Sequence, residues 1–292
     1  MGTEQISGQT QVCAVITKDA SYSLSPLMHN TAYEAAELAG KFIYVGHSVA
    51  AEGLKAAIEG IRSLGNYRGL SIGVPHKQAV REYLDEIDQA VSAIGAINTV
   101  VIDRKAGNAH LTGLNTDWKG IMTPLKAAIL EQSGKTSLKG QKVAVFGAGG
   151  AARAAVYGVS QDGADVTIFN RTSSRATELA SEFGCQAQSL ADLKDLSGFD
   201  IILHATNQGM HPGESLVIPP DSIRDGQVLF DFVYSRNIPE TDLIKEARRR
   251  GAIVIQGREM LLYQGVAQFE LFTGREAPVE AMRSVIFQNH TS

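Results

Sequence analysis

One stretch limits the fold of this chain more than any other. Lys142-Val-Ala-Val-Phe146 reads as a strand, runs straight into Gly147-Ala148-Gly149-Gly150-Ala151-Ala152, and continues into the helical spacing of Arg153–Ser160. A buried strand that turns sharply into a helix calls for a parallel sheet with helical crossovers. In such a turn Gly147 allows the tight bend, Gly149 lets a phosphate approach the backbone, and Ala152 lets the helix pack close to the strand. The N–H groups of the first helical turn, at Gly150 and Ala151, then face an anion. A Gly-x-Gly-x-x-Gly/Ala pattern alone is weak; its place between strand and helix makes it a dinucleotide site rather than a ligand-free glycine turn.

The rest of the chain fits that frame. Short apolar runs predict strands at Val12–Thr17, Phe42–Val45, Leu70–Val74 and Ile97–Ile102. Helical spacing between them covers Pro26–Leu38, Ala51–Leu64 and Lys77–Val91. Ala109–Leu114 can pair back on Ile97–Ile102 through the turn-prone Lys105-Ala106-Gly107-Asn108. A helix follows over Trp118–Lys139, with Asp117 as its candidate cap. A second series of strands then runs Lys142–Phe146, Val166–Phe169, Ile201–Leu203, Val228–Phe232 and Ile253–Ile255. Helical patterns at Met260–Phe272 and Val279–Phe287 close the chain. At 292 residues two domains are expected. The predicted class is α/β: a discontinuous α/β substrate domain (1–117 plus 258–292) and a Rossmann-like, doubly wound parallel-sheet domain (118–257).

Charge chooses between the two common dinucleotides. The strand after the glycine loop ends Ile168-Phe169-Asn170-Arg171-Thr172, followed by Ser173, Ser174 and Arg175. A carboxylate here would hold a ribose 2′-hydroxyl and repel a 2′-phosphate, whereas guanidinium groups hold the phosphate in a fork. NADP is therefore the expected cofactor, with Asn170, Arg171, Thr172 and Arg175 around its 2′-phosphate. Ala205–Met210 and Asp231–Tyr234 follow two further strands, at the ends where open α/β sheets bind ligands.

Composition removes other classes. A net charge of -4 leaves no footprint for nucleic acid, and the dense basic run Arg248-Arg249-Arg250 reads as the last turn of a helix. Two distant cysteines, Cys13 and Cys185, give neither a metal spacing nor a disulfide framework. No apolar run is long enough for a membrane span and the N-terminus is polar, so a cytoplasmic protein, monomer or homodimer, is expected.

Polar residues in the first half suggest the substrate side. Ser23 and Ser25 precede a helix that Pro26 could open, although Ser25 could simply cap it. Lys77 follows a strand and stands at the head of a helical pattern, where its charge opposes the dipole. Gly113-Leu114-Asn115-Thr116-Asp117 ends another strand with a carboxylate.

Together these segments resemble the shikimate dehydrogenase family. The matches are Ser-Leu-Ser-Pro-Leu-Met-His-Asn from 23, Val-Pro-His-Lys from 74, Gly-Ala-Ile-Asn-Thr from 95 and Gly-Leu-Asn-Thr-Asp from 113. Beyond them lie the glycine loop from 147, Asn-Arg-Thr from 170 and Gly-Arg-Glu-Met-Leu-Leu-Tyr-Gln from 257. The resemblance implies reversible NADPH-dependent reduction of 3-dehydroshikimate to shikimate. It implies Lys77 and Asp117 as the catalytic pair, Ser23 and Ser25 on the substrate carboxylate, and Asn98 and Gln264 on ring hydroxyls. Tyr234 corresponds to a tyrosine near the cleft, and Thr206, Met210, Val233 and Gly257 join the glycine loop as cofactor contacts.

The sequence also departs from that family. Ser71-Ile72-Gly73 stands where Asn-Val-Thr is usual, so Gly73 lacks a hydroxyl that normally contacts substrate. The room this predicts could suit quinate, which carries an added hydroxyl. Tyr234–Thr241 is longer than the usual Tyr-x-Pro-x-x-Thr, and Asn207 and Gln208 replace small residues or proline. A quinate-type ring-acid dehydrogenase and a non-catalytic NADP-binding regulator are the alternatives; the second would have no use for Lys77 and Asp117.

Overall fold

The computed structural model describes residues 6–105, 108–193, 195–211, 213–214, 216–234 and 240–288. In chain order its elements are β1 (Gln11–Thr17), α1 (Ser25–Ala35), β2 (Phe42–Ser48), α2 (Leu54–Ser63), β3 (Tyr67–Ile72), β4 (Glu86–Ile87), α3 (Gln89–Ile94), β5 (Thr99–Lys105) and β6 (Asn108–Leu114). There follow α4 (Asp117–Ser133), β7 (Lys142–Phe146), α5 (Gly150–Gln161), β8 (Asp165–Asn170), α6 (Ser173–Phe183), β9 (Gln186–Ser189), β10 (Ile201–His204) and β11 (Val228–Asp231). The last are α7 (Asp242–Arg249), β12 (Ile253–Gln256), α8 (Gly257–Thr273) and α9 (Val279–Phe287).

Two compact units divide between Thr116 and Asp117 and again between Tyr263 and Gln264. The sequence puts these divisions at 117/118 and 257/258. The second lies inside α8, a continuous helix, so no loop marks the change. Of the expected first domain, 1–5, 106–107 and 289–292 fall outside the described residues.

In the first unit the sheet order is β2-β1-β3-β5-β6-β4. β1 is parallel to β2 and β3, β5 runs antiparallel to β3 and β6, and β4 is parallel to β6. The β5–β6 pairing matches the expected return of 109–114 on 97–102, with Val101 opposite Thr112. The turn residues Ala106 and Gly107 of that hairpin lie outside the described residues. One face of the sheet buries Ala14, Ile16, Leu70, Ile72, Val100 and Ile102 against Leu54, Ile58 and Ile61 of α2. Burial of one such aliphatic side chain is worth about 1.5–3 kcal/mol.

The expected helix over Lys77–Val91 does not form. In its place are a turn through Lys77, a 3-10 segment at Ala79–Tyr83, the short edge strand β4, and α3. Competing partners explain the break. Asp88 caps α3 by accepting from the Val91 N–H at 2.7 Å, and Glu86 and Ile87 pair with Thr112 and Gly113 of β6. Lys77 is thus held on a turn, and the dipole reasoning applied to it from sequence does not hold.

The second unit carries a fully parallel sheet in the order β12-β11-β10-β7-β8-β9. From β7, strand order runs one way to β9 and the other way to β12, so the doubly wound reversal falls between β7 and β10. Ala144, Phe146, Phe169, Ile202 and Leu229 pack against Leu243, Ile244 and Ala247 of α7. The edge strand β9 escapes sequence detection because Gln186-Ala-Gln-Ser189 is polar and lacks alternation. Arg248, Arg249 and Arg250 close α7 and pair with Glu240, Glu246 and Asp221, which is the helix-end role expected of them.

Candidate active site

In the second unit the glycine turn sits at the carboxyl end of β7, where strand order reverses. Gly147 has φ +117, and a Cβ there would lie 2.7 Å from the Ala205 carbonyl oxygen, so only glycine fits. Gly149 precedes α5 without a side-chain cap, and a Cβ on Gly149 or Gly150 would meet nothing within 4 Å. The first N–H groups of α5, around Gly150 and Ala151, therefore open onto free space beside Ala148, as an approaching pyrophosphate requires. Gly257, at the start of α8, leaves no room for a side chain either: a Cβ would collide with the Phe232 carbonyl oxygen.

At the next strand end, Asn170 donates to the Thr172 carbonyl at 2.9 Å and shapes the turn into α6. Arg171, Thr172 and Arg175 are exposed. Neither guanidinium has a partner among the described residues. Two unpaired arginines around a turn bare of carboxylate suit a 2′-phosphate. The residues present fit NADP.

Two loops further along are tied together by a buried network that sequence reading missed. His204, the last residue of β10, donates from Nδ1 to Asp231 Oδ1 at 2.8 Å, and its Nε2 shares a hydrogen bond with Thr206 Oγ1 at 2.7 Å. Asp231 also accepts from the Thr241 hydroxyl at 2.5 Å and the Val233 N–H at 3.1 Å. The Thr206 hydroxyl in turn accepts from the Gln208 N–H at 3.2 Å, and Met210 at the end of that loop is 43% exposed. One carboxylate thus fixes the starts of the 205–210 and 232–234 loops. A histidine ending an otherwise apolar strand was the available signal. Tyr234 keeps 42% exposure. Its phenol is still pushed above the ordinary tyrosine range, first by the protein displacing water and then by the Asp117 charge. Residues 235–239, most of the long stretch noted from sequence, lie outside the described residues. Asp117 is buried and forms the first residue of α4, so it is not the separate cap expected.

In the first unit, polar side chains gather on the sheet face opposite α2. The Asn98 amide nitrogen donates to Thr116 Oγ1 at 2.9 Å and to Gln264 Oε1 at 3.4 Å. Its oxygen accepts from the Thr116 N–H at 2.7 Å and the Thr99 hydroxyl at 2.8 Å. The Lys77 carbonyl accepts from the Ile97 N–H at 2.7 Å. The lysine backbone and the residue just before Asp117 are therefore anchored to consecutive residues, Ile97 and Asn98. Gln268 extends the network by donating to Thr99 Oγ1 at 2.9 Å and accepting from Ser71 at 2.7 Å. Ser25 is buried in the first turn of α1, whose N-cap position is Leu24, so capping by Ser25 does not explain it. Ser23 Oγ accepts from the Ser25 N–H at 3.2 Å.

Family models match along the chain: the shikimate dehydrogenase substrate binding domain over 15–100, shikimate/quinate 5-dehydrogenase over 129–244, and the shikimate 5′-dehydrogenase C-terminal domain over 257–287. A shikimate dehydrogenase (NADP+) of Moorella thermoacetica is 39% identical, over 97% of this chain and 94% of the relative. The chain belongs to the shikimate dehydrogenase family. A Methanothermobacter thermautotrophicus relative of the same name is 37% identical, over 96% of this chain and 97% of its own. Among solved structures, shikimate 5-dehydrogenase from Thermus thermophilus in complex with NADP(H) and shikimate has a TM-score of 0.81 at 31% identity, covering 95% of this chain and 98% of that one.

At Gly73, one of the departures expected from sequence, the predicted room is absent. A Cβ on Gly73 would stand 2.8 Å from both Cβ and Oγ1 of Thr17. The neighbouring strand's threonine already occupies the space a family threonine would need, so Gly73 creates no pocket for an added hydroxyl. Thr17 is a further residue that sequence reading missed; its only signal was a hydroxyl ending an apolar strand.

Proposed function

We propose that the chain catalyses the reversible NADPH-dependent reduction of 3-dehydroshikimate to shikimate. One observation carries the assignment of roles: the shared anchoring of Lys77 and the Thr116–Asp117 step on Ile97 and Asn98, beside Gln264. When bound, NADPH supplies the hydride. Lys77 Nζ stabilises the negative charge growing on the substrate oxygen and gives it a proton. Asp117 is the second member of the proposed catalytic pair. Ser23 and Ser25 hold the substrate carboxylate, while Asn98, Gln264 and Tyr234 position the ring.

On the cofactor side, Arg171 and Arg175 hold the 2′-phosphate with Asn170 and Thr172. The 147–151 turn would receive the pyrophosphate, and Thr206, Met210, Val233 and Gly257 would add further contacts to the cofactor. Two free thiols suit a reducing cytoplasm, and among the described residues no helix is long and apolar enough to cross a membrane.

Steady-state rates for shikimate and quinate, each with NADP and NAD, test this reading. Turnover of shikimate with NADP and weak turnover of quinate are expected. Failure to oxidise shikimate with either cofactor overturns it.

A further inference from the structure

We propose that Thr17 sets substrate specificity, its hydroxyl taking the place of the one that Gly73 lacks and accepting a hydrogen bond from a ring hydroxyl of the substrate. This rests on the shikimate reading and adds to it a residue outside the matched motifs.

Strand geometry supplies the placement. Side chains alternate along β1, and Ala14 and Ile16 point into the core shared with α2. Thr17 therefore faces the other way. On β3, Leu70 and Ile72 share the α2 core, so Ser71 and Gly73 face with Thr17; Ser71 shows it by donating to Gln268 of α8 at 2.7 Å. The two strands lie side by side, Ile16 opposite Ile72, and the Gly73 N–H extends the ladder to the Ile16 carbonyl at 2.8 Å. Thr17 and position 73 are thus neighbours at the carboxyl ends of adjacent parallel strands. They share the face that carries Gln264, Gln268 and Asn98.

A side chain on residue 73 and the side chain of Thr17 compete for one volume, as the 2.8 Å spacing shows. The chain fills that volume once, from β1. The Thr17 hydroxyl spends its proton on the Val74 carbonyl at 2.9 Å, and its lone pairs remain available. In that state it accepts and does not donate, so it matches a substrate hydroxyl and gives nothing to a carbonyl or carboxylate. Thr17 is only partly buried, so a ligand can reach it.

Thr17→Val keeps the shape and removes the acceptor. The expected result is a KM for shikimate raised roughly 3- to 10-fold, the size of one neutral hydrogen bond. The KM for NADP and the melting temperature should hold, and Thr17→Ser should behave as wild type. Gly73→Thr alone should unfold early or bind shikimate poorly, because two β-branched side chains meet. The exchange Thr17→Gly with Gly73→Thr should recover a shikimate KM close to wild type by moving the hydroxyl across the strands. An active wild type whose Thr17→Val keeps its shikimate KM overturns the proposal alone. So does an exchange no better than Thr17→Gly by itself, which would mark Thr17 as structural. A wild type inert toward shikimate overturns the functional reading and takes this proposal with it.

Discussion

Replacing Asp231 with alanine should destabilise the second unit strongly and loosen its grip on cofactor. The carboxylate is 1% exposed and receives three donors, from His204, Thr241 and Val233. Each buried donor left without an acceptor costs about 1–3 kcal/mol. These costs do not add fully, since the imidazole can turn its proton toward Thr206 through Nε2; a total of about 4 kcal/mol is reasonable for three buried donors that lose one acceptor. At about 2–4 °C per kcal/mol for a unit of this size, the melting transition should fall by about 8–16 °C. Circular dichroism melts would read it, and Asp231→Asn, which keeps one acceptor, should lose about half as much. Fluorescence titration should show weaker NADPH binding in both variants, because the starts of the 205–210 and 232–234 loops lose their shared anchor. A shift below about 2 °C for the alanine variant, less than one orphaned donor should cause, would refute the reasoning.

Lys77→Ala should lower kcat by roughly 10²-fold or more while NADPH affinity holds, the usual loss when acid–base help is removed; a matching loss in NADPH binding would argue against its role. Arg171→Ala should raise the Kd for NADPH and leave that for NADH nearly unchanged, and an equal loss for both would deny the 2′-phosphate contact. His29 is fully buried and stacked 4.3 Å from Tyr44; burial lowers its pKa from 6.5 to about 3. It stays neutral when folded and takes up a proton when unfolded, so stability is complete above pH 6.5 and is lost as pH falls toward 3. Urea melts should show about 2 kcal/mol less stability from this group at pH 5 than at pH 7, a slope that His29→Phe should remove.

Legibility from sequence follows local pattern strength. Lys142–Phe146 and Val279–Phe287 are strand and helix as read, because their apolar spacing leaves no competing choice. The glycine turn is equally plain, since Gly147 answers a backbone requirement that no other residue meets. The 77–91 stretch misleads: its helical spacing is local, whereas its pairing with Thr112 and Gly113 of β6 is not. Gly73 shows the same limit within the site. From the chain alone it is a missing hydroxyl and an empty corner, and only the neighbouring strand reveals Thr17 in that corner. The His204–Asp231 pair joins residues 27 positions apart, and no spacing rule links them.

The polar edge strand β9 bears on how the protein behaves in a crowded solution. It ends one side of a six-stranded sheet with Gln186 and Gln188 exposed and Ala187 and Ser189 half-buried. An edge backbone with open N–H and C=O groups invites a stranger's strand, and apolar side chains strengthen the invitation. Here a four-residue strand with two glutamines offers little to hold such a guest. The composition that conceals β9 from a reading of the sequence also guards that rim of the sheet against aggregation.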